Sequence, residues 1–454
     1  MSTHNTSIDA NGPSTAAVKG TATDNHTAHV NLPDIAIGVI IGRASEFFEF
    51  FVFALACVLV FPYTIFPFVP PVEGTLYAFA VLALGFLARP VGTVFFTEID
   101  RHYGRGTRLT IALFLMGLST VAISFLPTYE AEGWLVIASL CLFRCGQGVA
   151  MAGSWDGTAS LLALRSPADR KGRYATLPQI GAPLGLILAA ALFLFLMVSL
   201  SEDDFLAFGW RYPFFVAFAI NVVALFARLR LTESAEFQRL FTETELAPQP
   251  TITVVKQEWL QIIVGAFTPL ASLALFHMVT IFPLSYIALN VPEHLVLFII
   301  FEIVAATFGL GAIIASGFIA DRIGRRQHLK YMAIAIGLFA IVSPFMLGRG
   351  GIAGEVIYVL VGFIILGLSF GQSSGATASG SSLKNRFTSS ALTSDLAWLF
   401  GAGFAPFVGL YLSERVGMWS AGGYLLSGAI VTLLALTVFK RSHAERRESD
   451  ASWR

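Results

Sequence analysis

The fold is decided by the stretch Gly317-Phe318-Ile319-Ala320-Asp321-Arg322-Ile323-Gly324-Arg325-Arg326, a charged turn between two long apolar runs. A second turn of this kind, Asp100-Arg101-His102-Tyr103-Gly104-Arg105, follows the second apolar run of the N-terminal half. An arginine-aromatic pair also recurs, as Arg173-Tyr174 and Arg386-Phe387. Recurrence at matching places indicates two similar halves, and such internal repeats place a binding site between the halves near the membrane midplane.

The composition is that of an integral membrane protein. Of 454 residues, 56% are hydrophobic and 13% are charged, and the mean hydropathy is +0.73. A soluble domain carries about a quarter of its residues as charge, so the composition excludes a soluble enzyme. The net charge of +0 provides no overall basic field for nucleic acid, so no nucleic-acid partner is expected.

The apolar runs predict an all-α membrane protein with twelve transmembrane helices in two pseudo-symmetric six-helix bundles, because a span needs about 20 mostly apolar residues in a helix. The predicted spans lie near residues 34–61, 74–96, 109–127, 134–155, 174–199, 210–230, 259–288, 295–319, 330–348, 355–381, 388–412 and 418–439. The predicted domains are a disordered cytoplasmic tail at 1–33, bundles at 34–230 and 259–439, a cytoplasmic linker at 231–258, and a cytoplasmic tail at 440–454.

The loop charges predict the orientation, since Lys and Arg are retained on the cytoplasmic side of a membrane. Alternate loops are basic, as at 101–108, 165–173 and 322–330, and the loops between them carry mostly acids. Arg349 and Arg415 are the exceptions. The pattern predicts a multi-pass protein of the plasma membrane, the inner membrane of a bacterium, with both termini cytoplasmic.

Several motifs carry a resemblance to a known family. The stretch from Gly317 to Arg326 fits the loop signature Gly-x-x-x-Asp-Arg-x-Gly-Arg-Arg of the major facilitator superfamily, and further matches resemble its metabolite:proton symporter family. The further matches are Glu46-Phe47-Phe48-Glu49-Phe50, Arg89-Pro90-Val91-Gly92, Arg144-Cys145-Gly146-Gln147-Gly148, Pro178-Gln179-Ile180-Gly181-Ala182-Pro183 and Gly209-Trp210-Arg211-Tyr212-Pro213-Phe214-Phe215. The resemblance implies the twelve-helix fold and inward symport of a small organic acid or zwitterion with a proton.

The chain departs from that family pattern at several charged positions. In the first turn the acid comes one residue early, at Asp100. Ser154 stands where the pattern has a glutamate, while Asp395 and Arg43 are additional charges. These departures put the usual contacts of the first turn in doubt and suggest an atypical solute.

The first span carries three ionisable side chains, Arg43, Glu46 and Glu49. A charge at the bilayer centre costs about 2.5 to 3.5 kcal/mol on insertion scales, so such residues are paired, hydrated or functional. At helical spacing the three fall within about 120° of the circumference. They therefore form one stripe that can face a water-filled cavity.

Arg144 and Glu46 both fall close to the predicted midplane, at a depth of about 15 to 18 Å. One interpretation makes Arg144 the anchor for a solute carboxylate, with Glu46 and Glu49 as proton carriers, because guanidinium binds carboxylate in a bidentate manner. The other is a structural Arg144–Glu46 pair that locks two helices.

Further candidates contact the solute or control access to it. Gln147, Gln179 and Arg43 are predicted solute contacts, and Asp395 is a predicted contact for solute and proton, or a polar contact between helices. His277 either titrates or is a packed, hydrogen-bonding residue. Glu302 and Asp156 are expected at interfaces or gates. The predicted gating residues are Asp100, Arg105, Asp321, Arg322, Arg325, Arg326 and Arg386. Asp321 with Arg322, Arg325 and Arg326 is expected to form a charge cluster that holds the cytoplasmic helix ends together in one state, or else the basic residues only set the topology.

These features predict a secondary active transporter working by alternating access. Candidate intramembrane acids outnumber the candidate bases Arg43 and Arg144, and crowded carboxylates favour protons, which predicts proton coupling. The alternative is proton-driven export of a cationic or amphipathic compound.

No enzyme is expected, because the sequence has neither a His-Glu-x-x-His pair nor a Gly-Lys-Ser/Thr phosphate loop. Neither a cofactor nor a metal is expected, the proton gradient supplies the energy, and the protein is expected to act in the lipid bilayer as a monomer.

Overall fold

The computed structural model describes residues 32–154, 162, 166–232, 247–347, 350–378, 382 and 384–445. Most of the two predicted tails and residues 233–246 of the predicted linker lie outside these residues, as does Asp156. One helix, Thr251–Phe267, begins inside the segment 231–258 that the sequence analysis assigns to the linker.

The described chain is all helical, with ten helices long and apolar enough to cross a membrane. One of them, Pro71–Ser124, has 54 residues and would be about 80 Å long if straight, far more than the roughly 30 Å of hydrocarbon that a span crosses. Gly104, at φ 82° and ψ 167°, divides it into two spans. Helix Leu32–Leu59, which carries Arg43, Glu46 and Glu49, completes the expected twelve.

We number the spans α1 to α12 in chain order. They are α1 (Leu32–Leu59), α2 and α3 (the parts of Pro71–Ser124 before and after Gly104), α4 (Trp134–Gly153), α5 (Lys171–Ser199), α6 (Gly209–Phe226), α7 (Leu270–Asn290), α8 (Pro292–Ile323), α9 (Arg325–Met346), α10 (Gly351–Thr377), α11 (Arg386–Arg415) and α12 (Met418–Val438). Shorter helices, Phe61–Thr64, Tyr129–Glu132 and Glu202–Ala207, lie in the loops.

The two halves repeat one another, as the sequence predicts. Gly324 ends α8 at φ 85°, which matches Gly104 at the end of α2. Only glycine adopts such positive φ values readily, so each turn changes direction sharply between two antiparallel helices. The packing also repeats: α2 packs on α4 as α8 packs on α10, and α3 packs on α6 as α9 packs on α12.

Among the described residues, the halves meet mainly through three helix pairs: α1 with α7, α2 with α11, and α5 with α8. The α5–α8 crossing is very close, since a Cβ on Gly172 would lie 2.7 Å from the backbone oxygen of Gly317. Small residues allow this approach of two backbones, as is usual between membrane helices.

The two ends of the bundle differ in charge. We call the end that bears the exposed Arg101, Arg170 and Arg322 the basic end. The opposite end, which bears the exposed Glu130, Glu202 and Glu293, is the acidic end. Toward the acidic end, residues 51–59 of α1 and 270–285 of α7 are buried against the rest of the bundle. Helices α1 and α7 are therefore tightly packed along these residues. Space between the halves remains at two levels, in a pocket at the acidic end lined by Leu59, Glu202 and Pro292, and in a cavity nearer the basic end.

Candidate functional site

A cavity lies between the two halves, lined by residues of both. Helices α1, α2, α4 and α5 line it from the N-terminal half, and α10, α11 and the start of α7 line it from the C-terminal half. The charged side chains in its wall are Arg43, Glu46 and Arg89, and the neutral polar ones are Gln179, Ser373, Ser374, Thr377 and Ser394. A central cavity with a few polar groups is the usual form of a small-molecule site.

The first charged group of the cavity is an ion pair on α1. Arg43 Nη1 lies 2.7 Å from Glu46 Oε2, and the pair remains partly exposed to the cavity. Ser154 Oγ donates a hydrogen bond of 3.1 Å to Glu46 Oε1. The serine that replaces the expected glutamate therefore supplies a donor to the neighbouring carboxylate in place of a second negative charge.

The second charged group joins the two halves. Arg89 of α2 lies 3.1 Å from Asp395 Oδ1 on α11 through Nη2, and 3.2 Å from it through Nε. Thr93, one turn along α2, donates to Asp395 Oδ2. Asp395 is buried, whereas the sequence left its role open between solute or proton contact and a contact between helices. In this conformation it makes a helix-to-helix contact, and its partner Arg89 lines the cavity.

Aromatic rings form much of the remaining wall. Phe47, Phe50, Phe86 and Trp398 line the cavity. The Phe86 ring stacks on Trp398 at 6.1 Å between centroids, with an angle of 11° between the planes, so this contact also crosses between the halves. Such a wall provides apolar area and ring faces that attract cations.

A third polar group lies behind the cavity wall, inside the N-terminal half. Glu49 accepts hydrogen bonds from Thr120 and Asn221, and from Gln147 Nε2 at 3.3 Å. Arg144 donates to Gln147 Oε1 at 3.0 Å and to the Leu82 carbonyl at 3.3 Å. All of these side chains are buried, so the group is satisfied internally.

The predicted stripe on α1 is thus divided between two environments. Arg43 and Glu46 face the cavity, whereas Glu49 faces the buried group with Arg144 and Gln147. Arg144 contacts the rings of Phe53 and Phe50, with its Cζ 4.3 and 5.8 Å from their centroids. Neither Arg144 nor Gln147 lines the cavity in this conformation, while Gln179 does and donates to Ser373 of the opposite half at 3.1 Å.

The predicted gating residues contact different partners from those expected within the second turn. Asp321 pairs with Arg173 Nε of α5 at 2.7 Å and accepts the backbone N–H of Gly172 at 2.6 Å. Arg325 donates to Gln372 and to the Gly375 carbonyl, and Arg326 donates to the Leu436 carbonyl. Arg322 is exposed. Instead of one cluster in its own turn, Asp321 therefore joins the two halves at the basic end.

The first turn reaches across to the other half in a similar way. Asp100 pairs with Arg108 Nη1 at 2.8 Å and lies 4.0 Å from Arg105 Nη2. Both guanidinium groups lie over the ring of Phe387 on α11, at 5.2 and 5.6 Å from its centroid. Arg386 precedes that ring at the start of α11. The displaced acid of this turn thus still holds arginines against the opposite half.

Two other predicted candidates are buried without hydrogen bonds. Neither carboxyl oxygen of Glu302 and neither ring nitrogen of His277 has a hydrogen-bond partner within the part of the chain that the structure describes. Both residues are 0% exposed. Glu302 is therefore not interfacial, and His277 is not the hydrogen-bonded packing residue that the sequence offered as one interpretation.

Sequence reasoning missed several residues of the site. Arg89 was considered only as part of a family motif, and Thr93 lies just beyond that motif at the end of an apolar run. An arginine in an apolar run is nevertheless a sign of a buried ion pair. Adding Arg89 to the intramembrane bases reduces the acid excess on which the prediction of proton coupling partly depended. Thr120, Asn221 and Trp398 lack such a signal, because single polar or aromatic residues are common in apolar helices.

Comparison with known proteins places this architecture among transporters. The profile of the Major Facilitator Superfamily matches residues 135–395. An inner membrane metabolite transport protein of Escherichia coli (strain K12) is 31% identical, over 91% of this chain and 95% of the relative. The shikimate transporter of the same organism is 29% identical over 90% and 94%. The proline/betaine transporter of Salmonella typhimurium is 27% identical over 87% and 80%.

Solved structures show the same fold. The crystal structure of a D-xylose-proton symporter superposes with a TM-score of 0.67, covering 89% of this chain and 96% of that one, at 14% sequence identity. At that identity the likeness concerns the arrangement of helices.

The Arg89–Asp395 pair generates a prediction about stability. Asp395→Ala should lower the melting temperature of detergent-purified protein strongly, because removing one partner of a buried pair costs about 3 to 5 kcal/mol. The double variant Arg89→Ala/Asp395→Ala should recover part of that loss. The matched control is Glu98→Ala, whose pair with Arg101 at 2.7 Å on the same helix is exposed and should contribute about 0 to 1 kcal/mol. Equal losses for Asp395→Ala and Glu98→Ala would contradict the assignment.

Proposed function

We propose that this chain, which belongs to the Major Facilitator Superfamily, carries a small organic acid or zwitterionic metabolite across the membrane together with a proton. The observation that supports the proposal most is the cavity between the halves, where two guanidinium groups each lie beside a carboxylate. The names of the relatives, which include metabolite, shikimate and proline/betaine transporters, agree with solutes of this class.

The pairing of a guanidinium with a carboxylate can couple solute binding to protonation of that carboxylate. A proton on Glu46 removes the negative charge that holds Arg43, and Arg43 can then bind a solute carboxylate in place of its own helix neighbour. Solute anion and proton thereby enter the cavity as a neutral pair. Each favours binding of the other, and such a coupling free energy is necessarily reciprocal.

The rest of the wall suits the remainder of such a solute. The hydroxyls of Ser373, Thr377 and Ser394 can bond to solute oxygens, while Phe86 and Trp398 can cover a ring or a methylated ammonium group. Arg89 becomes a second binding site for a solute carboxylate when its ion pair with Asp395 breaks. Breaking this pair also loosens the contact between α2 and α11. Binding in the cavity is thus linked to the contacts that join the halves.

Alternating access then requires the contacts at the basic end to break. Arg173–Asp321, the hydrogen bond from Gln372 to the Gly172 carbonyl and the Phe387 ring contacts all join the two halves there. A tilt of one half against the other separates these contacts and opens the cavity. Because the two halves of a single chain lie on either side of the cavity, we propose that the monomer is the working unit.

Glu46→Gln tests the proton's role. In vesicles with an inside-alkaline gradient, wild-type protein should accumulate labelled shikimate, proline or glycine betaine. Glu46→Gln should abolish accumulation while retaining exchange of labelled for unlabelled solute, because the amide cannot gain or lose the proton. The matched control is Glu98→Gln, which makes the same change at an exposed carboxylate outside the cavity and should accumulate solute as the wild type does.

Two outcomes would contradict the proposal. Undiminished accumulation by Glu46→Gln would place the proton elsewhere. Absence of uptake by the wild-type protein, together with efflux of an organic cation, would favour the alternative of proton-driven export.

We also propose that the basic end faces the cytoplasm of a bacterial cell, because positive loops are retained there. The test uses single cysteines at Tyr103 and Trp134, both 73% exposed and at opposite ends, in a background with the three native cysteines replaced. An impermeant maleimide added to intact cells should label Trp134→Cys, and should label Tyr103→Cys only after lysis. The reverse pattern would invert the topology.

A further inference from the structure

The inference concerns His277, a residue of α7 that lies just behind the cavity wall. Its side chain is 0% exposed, and within the described residues neither of its ring nitrogens has a hydrogen-bond partner. A buried polar group without a partner costs about 1 to 3 kcal/mol. Native proteins rarely keep such a group without a purpose, so its retention in a packed helix calls for an explanation.

The rings that cover His277 belong mainly to the other half of the molecule. The centroids of Phe50 on α1 and Phe86 on α2 lie 5.5 and 6.2 Å from the imidazole centroid, and Phe276 of its own helix lies at 5.2 Å. Phe50 and Phe86 are also part of the cavity wall. Two aromatic side chains of the N-terminal half thus separate the imidazole from the cavity.

Whether Phe50 and Phe86 cover His277 therefore depends on the relative position of the two halves. His277 moves with the C-terminal half, whereas Phe50 and Phe86 move with the N-terminal half. When the halves tilt, the rings and the imidazole separate, since a rigid-body rotation carries each with its own bundle. The imidazole nitrogens, which have no hydrogen-bond partner among the described residues, would then face the cavity.

We propose that His277 is a solute-binding residue of the transport path, covered by Phe50 and Phe86 in the present conformation and uncovered when the two halves tilt. The imidazole donates through its N–H to a carboxylate or hydroxyl oxygen of the solute. This role rests on the proposed transport function and adds a contact from the C-terminal half.

The Phe50 ring also contacts a charged group of its own half. The guanidinium of Arg144 lies 5.8 Å from the Phe50 centroid, so the Phe50 ring contacts both Arg144 and His277. Arg144 and Phe50 move together with the N-terminal half, so the tilt uncovers the imidazole and leaves Arg144 beside the ring.

The test measures KM for uptake and melting temperature in parallel. His277→Phe should raise KM for the labelled solute that wild-type protein takes up fastest, among shikimate, proline and glycine betaine, by about tenfold or more. Its melting temperature should not fall, since a ring replaces an unpaired imidazole among aromatic side chains. His277→Gln, which keeps a donor and an acceptor, should show a smaller increase in KM.

The matched control is His328→Phe. His328 is also buried in the C-terminal half, but its Nε2 lies 2.7 Å from the Leu368 carbonyl and it does not line the cavity. This variant should lose melting temperature and keep the wild-type KM. The two histidines therefore separate loss of a solute contact from loss of a buried hydrogen bond.

Wild-type KM in His277→Phe, with an equal or higher melting temperature, would overturn the inference and leave the proposed function intact. If His277→Phe does not fold, His277→Gln decides: a raised KM at the wild-type melting temperature supports the inference, and an unchanged KM overturns it. Absence of uptake by wild-type protein would overturn both proposals.

Discussion

The structure depends on one constraint: an arginine in the membrane interior needs a partner, because its guanidinium stays charged and hydrocarbon supplies no counter-charge or acceptor. Arg43 meets this need within its own helix, and Arg89 meets it across the halves, through Asp395. Arg144 is satisfied by Gln147, a backbone carbonyl and the ring of Phe53. The pairs that satisfy these charges also determine which parts of the bundle are joined.

That dual role links binding to movement. Partners that lie on one half, such as those of Glu49, hold a six-helix bundle together as a rigid unit. Partners that lie on different halves, such as Arg89 with Asp395 and Arg173 with Asp321, hold a particular arrangement of the two units. Only the second kind must break during transport, and both of these pairs lie toward the basic end, whereas α1 and α7 pack closely toward the acidic end.

Much of the fold was predictable from the sequence, and the detailed pairing was not. Gly104 and Gly324 mark turns because their neighbours are charged and the flanking runs are apolar, which is local information. The partner of Asp321 depends instead on the α5–α8 crossing, where Gly172 and Gly317 allow the two backbones to approach closely. The spacing on α1 predicts one stripe of about 120°, and in the structure Arg43 and Glu46 line the cavity at one edge of it. Glu49, at the other edge, contacts Thr120 and Asn221, and the spacing alone does not show where the cavity wall divides the stripe.

The central claim is that solute and proton bind together because a protonated carboxylate releases a guanidinium for the solute. Calorimetry of solute binding to the purified protein, in buffers of different ionisation enthalpy, measures the protons taken up with each solute. The account predicts an uptake of about one proton per carboxylate solute near neutral pH, falling toward zero in Glu46→Gln. Binding of the solute by the wild-type protein with no proton uptake at any pH would contradict it.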